Sequence, residues 1–141
     1  MKARILAVVP AMFCLTVAFA QQPAKVETKG VESKIKSEQT ASGYLTDLNG
    51  KYKLRAVETT IQPGGHIGNH HHAGPGIRLV KSGQLTYVAG DKTIVYKAGG
   101  YFYESGDVTH EAFNKGKAPV TVVVFEIVPV SLKGGSATPP K

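Results

Sequence analysis

The chain has 141 residues, 42% of them hydrophobic, which is enough for one domain with a core and too few for two. Its formal net charge is +7, but the lysines are dispersed singly and do not form a stripe with aromatic residues between them. Scattered charge of this kind is typical of a solvated surface, so we expect no nucleic-acid partner.

Residues 1–20 have the pattern of a secretory signal peptide. A basic start precedes an apolar run, and Ala18-Phe19-Ala20 supplies the small residues of an A-x-A cleavage site. The run is shorter than the roughly 20 apolar residues of a membrane span, although a retained N-terminal anchor is the alternative. We therefore expect cleavage after Ala20, a periplasmic or secreted protein, and no stable membrane anchor. Cys14, the single cysteine, would be removed with the signal, so we expect no disulfide.

The rest of the chain predicts one β-domain between two less ordered ends. Residues 21–33 are polar and lysine-rich, which predicts a flexible leader. Residues 131–141 carry Gly, Ser and Pro without an apolar cluster, which predicts a disordered tail. Between them, over residues 34–130, apolar and β-branched runs predict strands at 52–62, 77–80, 84–88, 93–96, 101–103 and 120–128. Short strands separated by turns indicate an all-β sandwich or barrel.

Two of these runs lead to more specific predictions. Residues 120–128 are the most apolar run, so we expect this strand to cross the core with both faces covered. Residues 84–88 and 93–96 flank Gly90-Asp91, a turn signal that predicts a β-hairpin.

Four of the five histidines lie in the stretch GGHIGNHHHAGPG, residues 64–76. Side chains alternate faces along a strand, so His70 and His72 point the same way and His71 the opposite way. Neutral imidazoles bind Fe, Mn, Zn, Ni or Cu, and His110 is the natural source of a third ligand. We therefore predict one divalent transition metal held by His70, His72 and His110.

Two spaced motifs resemble those of the cupins, a superfamily of small β-barrels. The first, G-x5-H-x-H-x3/4-E-x6-G, is matched in spacing from Gly64 to Gly83. The second, G-x5-P-x-G-x2-H-x3-N, is matched in spacing from Gly99 through His110 to Asn114. Both motifs occur in the order that the family shows.

The resemblance spans residues 35–130 and implies a single double-stranded β-helix, or jelly-roll, barrel around a mononuclear metal site. It also implies a small-molecule ligand, and a homodimer in which residues 34–40 could form the contact. Oxygenases, isomerases, lyases and non-catalytic binders share this fold, so the resemblance does not define a reaction.

The sequence departs from the family pattern at the acidic metal ligand. The family's glutamate corresponds to Gly76, and the proline and glycine of the second motif are Ser105 and Asp107. Three neutral imidazoles would leave the metal's charge uncompensated and would leave positions for water, dioxygen or an anionic ligand. The alternative is a barrel that has lost the metal and kept a binding pocket.

Four further residues are candidates for the site. If position 76 faces inward, Arg78 also does, where its guanidinium could clamp a carboxylate; a one-residue change of register would place it outside. Tyr103 and Phe113 are candidates for the substrate pocket. His66 follows a flexible Gly-Gly and is a candidate for a fourth metal ligand.

These observations favour two classes of function. The first is an exported metalloenzyme, a dioxygenase by preference, acting on a small anionic or enolisable substrate. The second is a non-catalytic module that binds or senses a small ligand in the barrel. A structural partner in an envelope-associated complex is a third, weaker hypothesis.

Overall fold

The structure is a computed structural model and describes residues 25–140. The expected signal peptide and its cleavage site lie outside the described residues. The described strands are β1 (Thr28–Gln39), β2 (Tyr52–His72), β3 (Gly76–Ser82), β4 (Gln84–Ala89), β5 (Lys92–Lys97), β6 (Tyr101–Glu104), β7 (His110–Phe113), β8 (Val120–Pro129) and β9 (Ala137–Thr138), and a 3-10 turn lies at Thr46–Leu48. Within this range, no helix has the length and apolarity needed to cross a membrane.

The strands form a single antiparallel sheet system that curls into a nearly closed barrel. The hydrogen-bonded order is β5-β4-β7-β2-β8-β3-β6, with β1 and β9 added along β2. The 21-residue strand β2 organises the barrel because successive parts of it pair with β1, β7, β8 and β9. This architecture confirms the predicted all-β barrel.

The two detailed strand predictions have different outcomes. The β4–β5 hairpin forms as predicted, and Gly90 in its turn has a φ of 58°, in the left-handed region that favours glycine. In β8, Val120 and Val128 are buried, but Phe125 and Ile127 are 45% and 37% exposed. The prediction that both faces are covered is therefore wrong for this half of β8, because its outer face contacts solvent.

Both ends of the domain extend beyond their predicted limits. Residues 28–33, predicted as flexible leader, form the first half of β1 and pair with β2. In the predicted disordered tail, Ala137 and Thr138 pair with β2, and Ser136 is buried. Composition did not indicate these segments because backbone pairing with β2 orders them, with little burial of apolar side chains. Residues 34–40 lie on the exposed strand β1 and beyond its end, and the homodimer stays a prediction.

An apolar cluster fills one part of the barrel interior. Its buried members come from five strands: Ile61, Val80, Leu85, Ala112, Val120 and Val122. Burial of side chains of the Val, Leu and Ile type stabilises a fold by about 1.5–3 kcal/mol each. Because strand side chains alternate, the same strands continue along this inner face into a polar region that contains the histidines.

Asn114, the last residue of the second motif, connects β7 to β2 and to the following loop. Its side-chain amide donates hydrogen bonds of 2.9 Å to the carbonyl oxygens of Ile61 and Ala118. Its own Oδ1 accepts a 2.9 Å hydrogen bond from the amide of Gly116. This buried residue therefore has a structural role beside the apolar cluster.

Candidate metal centre

A β-bulge in β2 determines which of its histidines face the barrel interior. Ile67 of β2 pairs with Ala112 of β7, and His70 pairs with His110. Between these two pairs β2 advances by three residues and β7 by only two, so β2 contains one extra residue. The extra residue shifts the alternation by one, and both Ile67 and His70 therefore face inward. His72 lies two residues further along and points to the same side.

The bulge brings the three predicted ligands together. Ligand nitrogens of His70, His72 and His110 all lie within 4.8 Å of one another, and this is the one such group of His, Cys, Asp or Glu found among residues 25–140. The ring centroids of His70 and His110 are 4.2 Å apart, and His72 is 4.9 Å and 5.3 Å from them. The side chains of His70 and His110 are almost completely buried.

Backbone carbonyls determine the tautomer of two of these histidines. The Nδ1 atom of His70 lies 2.7 Å from the carbonyl oxygen of Gly68, and that of His110 lies 3.0 Å from the carbonyl oxygen of Val108. A carbonyl oxygen can only accept, so each Nδ1 carries a proton and donates it. In the neutral imidazole this leaves Nε2 with a free lone pair.

His72 is oriented in the same way by the C-terminal segment. The Ser136 hydroxyl donates a 2.7 Å hydrogen bond to Glu126, so its oxygen is free to accept from another donor. His72 Nδ1 lies 3.0 Å from that oxygen and can donate to it. All three imidazoles can therefore direct a Nε2 lone pair toward a common point, as metal-binding histidines do.

A buried carboxylate, Glu104, lies beside two of the histidines. Glu104 Oε2 is 3.0 Å from His72 Nε2 and 2.7 Å from Arg78 Nη2, and Oε1 is 3.1 Å from His110 Nε2. Nevertheless, Oε2 and both terminal nitrogens of Arg78 have no partner with hydrogen-bond geometry among the described residues. The contact between Arg78 and Glu104 is therefore an ion pair without aligned hydrogen bonds.

The pKa values of this cluster suit a cation site. Burial, reinforced by His110, lowers the pKa of His70 to about 4, so this imidazole is neutral at pH 7. Burial alone would raise the pKa of Glu104, but His110, His72 and Arg78 together lower it well below its usual range. The centre thus contains nitrogen donors and an ionised carboxylate, a set that fits a divalent transition metal.

Arg78 is 2% exposed and faces inward, which is one of the two orientations that the sequence left open. Its guanidinium, however, already contacts Glu104. A Cβ atom at Gly76 would overlap Arg78 Nη1 and the carbonyl oxygen of Phe125. The family's glutamate therefore has no room at position 76, because the guanidinium and the rigid Phe125 carbonyl occupy that space.

Three other predicted site residues lie outside the centre. His66 pairs with Phe113 on the outward side of the bulge, with the two rings 6.0 Å apart, and His66 Nε2 is 3.4 Å from Glu27. Neither His66 nor Phe113 belongs to the histidine cluster, and the bulge places His66 apart from the three clustered histidines. Tyr103 is 66% exposed, because its neighbours Phe102 and Glu104 take the inward positions of β6.

A second buried ion pair, which the sequence analysis missed, lies near His72. Arg55 Nε donates a 2.7 Å hydrogen bond to Glu126 Oε1, and both side chains are 1% exposed. Arg55 Nη1 also donates to the carbonyl oxygen of Gly134 at 2.8 Å. Alternation in β2 and β8 could have indicated two inward charges, but only the pairing of the strands shows that they meet.

Two adjoining cavities open beside the histidines. The larger, of about 380 Å³, is lined by β1, β2, β8 and the C-terminal segment, and its lining includes Arg55, His70, His72 and Glu126. The smaller, of about 70 Å³, is lined by all three histidines, Arg78 and Glu104. A separate cavity of about 270 Å³ lies under the β1–β2 connection, away from the histidines. The polar donors converge on the first two, so we place the ligand site there.

Comparison with known families assigns the class of this protein. Residues 57–126 match the family model of the cupin domain. This stretch contains both motifs, the three clustered histidines and most of the barrel strands. Together with the barrel fold, the match shows that the chain belongs to the cupin superfamily. No curated protein sequence matches the chain.

Solved structures show the same fold at low sequence identity. A cupin superfamily protein from Desulfitobacterium hafniense is 10% identical with a TM-score of 0.55, covering 74% of this chain and 84% of its own. KdgF from a Halomonas species is 16% identical with a TM-score of 0.53, covering 71% and 86%. An oxalate oxidase in complex with the substrate analogue glycolate is 23% identical with a TM-score of 0.52, covering 72% and 55%.

Proposed function

We propose that this chain is an exported metal-binding cupin that acts as a dioxygenase-type enzyme on a small anionic or enolisable molecule. The observation that carries the proposal is the shared orientation of three imidazoles, two of them buried and the third, His72, partly buried. His70, His72 and His110 converge, and each has a hydrogen-bond acceptor at Nδ1. Lone pairs that face one another in a buried site repel unless a cation or a proton lies between them.

A divalent transition metal (Fe, Mn, Zn, Ni or Cu) bound by these histidines would supply Lewis-acid or redox chemistry. The protein's own charges around it balance, because Arg55 and Arg78 face Glu126 and Glu104. With three neutral imidazoles, a dication would give the two cavities beside the histidines a net charge of about +2, which favours an anionic ligand. The larger cavity, of about 380 Å³, is of a size that suits a small molecule.

Element analysis of the untagged protein tests the metal centre. We expect about one transition metal per chain in the parent protein, and loss of that metal in His70→Ala and His110→Ala. His71→Ala is the matched control, because His71 neighbours the ligands and pairs with β9 outside the cluster. Metal far below one per chain in the parent, or metal that neither substitution removes, would contradict the proposal.

The reaction is tested on metal-loaded protein with small carboxylates, diketones, keto acids and phenols. Oxygen consumption with product formation supports the dioxygenase. The second candidate function is a non-catalytic binding or sensing module, and one observation favours it. Glu104 and Glu126, the two carboxylates that line the cavities beside the histidines, already pair with arginines, so neither is a free general base. Tight binding of a probe without turnover would support that module.

We also propose that the protein is exported and that its mature form starts at Gln21. The support is the signal-like pattern of residues 1–20 in the sequence. N-terminal sequencing of protein recovered from the periplasm or medium should begin at Gln21. Recovery of intact Met1 in the membrane fraction would instead indicate the retained anchor.

A further inference from the structure

We propose that Glu104 is the fourth protein ligand of the metal centre. It would supply, from β6, the carboxylate that the cupin pattern places at position 76 on β3. The inference rests on the proposed three-histidine metal site and adds an anionic oxygen donor to it.

The strand register explains how the carboxylate can change position. Gly76 and Glu104 are direct partners in the antiparallel β3–β6 pair. Cross-strand partners project their side chains to the same face of a sheet, so residue 104 reaches the region that residue 76 would reach. Position 76 itself is closed to a side chain by Arg78 and the Phe125 carbonyl. The same acidic function can therefore come from the opposite strand.

The distances match those between ligands of one ion. Two donors bound at about 2.0–2.1 Å, with an angle between roughly 90° and 109° at the metal, lie about 2.8–3.4 Å apart. The oxygens of Glu104 lie 3.0 Å from His72 Nε2 and 3.1 Å from His110 Nε2. Glu104 thus occupies the place of an adjacent ligand for two of the three histidines.

The hydrogen bonding of His110 also directs its free ring nitrogen toward this carboxylate. Nδ1 of His110 has its acceptor in the Val108 carbonyl, so Nε2 is the ring nitrogen left for a metal. Nε2 lies 3.1 Å from Glu104 Oε1, so this oxygen is within reach of an ion bound at Nε2. Arg78 contacts Oε2, which leaves Oε1 as the oxygen for the metal and holds the carboxylate in place.

Cobalt binding to the untagged, metal-free full chain tests this assignment. We measure Co²⁺ affinity against a chromophoric chelator and record the visible absorption of the bound Co²⁺. Glu104→Gln keeps the shape of the side chain but loses its charge. We expect it to weaken Co²⁺ binding by about 100-fold or more. Residues that only support a ligand lose about 10–100-fold, so the expected loss lies at or beyond the upper end of that range. We also expect its absorption spectrum to change.

Glu111→Gln is the matched control, because Glu111 follows His110 in sequence but lies on the opposite face of β7. It should leave affinity and spectrum unchanged. If the parent binds Co²⁺ and Glu104→Gln binds it equally tightly with the same spectrum, the assignment of Glu104 is overturned while the three-histidine site stands. If the parent binds no Co²⁺, the proposed metal site fails and the inference fails with it.

A crystal structure of the Co²⁺-loaded parent decides the question if Glu104→Gln does not fold, as judged by circular dichroism. We expect a Glu104 oxygen at a coordination distance of about 2.0–2.2 Å from the ion. A carboxylate that lies beyond bonding distance, paired only with Arg78, would overturn the inference.

Discussion

The apolar and polar parts of the barrel interior are built by the same strands. β3 places Val80 in the apolar cluster and Arg78 among the histidines, two residues apart on one face. β8 similarly carries Val122 and Glu126. Alternation thus determines that these side chains face inward but not what they do there. Moving an ion into a protein interior costs several kcal/mol, so the polar part is stable only because its charges are paired, Arg55 with Glu126 and Arg78 with Glu104.

The largest expected effect concerns the Arg55–Glu126 pair. Arg55→Met should lower the free energy of unfolding by about 3–5 kcal/mol, because it leaves a buried carboxylate without its cation. Chemical denaturation measures this change. Arg55→Met combined with Glu126→Gln should recover much of the stability, since no buried charge is then left unpaired. A small effect of the single substitution would mean that the polar part of the interior tolerates an unpaired charge. Charge pairing would then not be what distinguishes the polar part from the apolar part.

The next effect is a pH dependence that belongs to the polar part alone. The pKa of His70 is about 4 in the folded protein and about 6.5 when unfolded. As pH falls from 6.5 to 4, the unfolded chain binds a proton that the folded chain excludes, so stability falls, by roughly 3 kcal/mol in total. Urea denaturation of metal-free protein at several pH values measures the slope.

His70→Gln is the control for this slope, because it removes the titrating group and should reduce the loss of stability between pH 6.5 and 4. Glu104 acts in the same direction at lower pH, since its pKa is lowered in the folded state. An identical slope in the parent and in His70→Gln would show that the shift of His70 is not the cause.

The smallest expected effect lies in the apolar part. Ile61→Val removes one buried methylene group and should cost about 0.5–1.5 kcal/mol without changing metal affinity. Thermal unfolding and Co²⁺ titration measure the two properties on the same sample. A marked loss of metal affinity in Ile61→Val would show that the two parts of the interior are coupled.

The histidine pattern was predicted more completely than the rest of the site. The H-x-H spacing and the second motif indicated His70, His72 and His110, because ligand identity and strand parity are both visible in a sequence. The outward direction of His66 was not visible, because it depends on a bulge between Ile67 and His70. A bulge is a property of two paired strands and carries no reliable signal in either one.

The sequence by itself determined an all-β barrel, the cupin resemblance and three nitrogen donors, because these follow from local periodicity and spacing. It also showed that the usual acidic position is Gly76. Only the tertiary structure showed Glu104 opposite that glycine, Arg78 in the space between, and the C-terminal Ser136 behind His72. These contacts join residues far apart in the chain, so the register and closure of the barrel decide them, and no local pattern can.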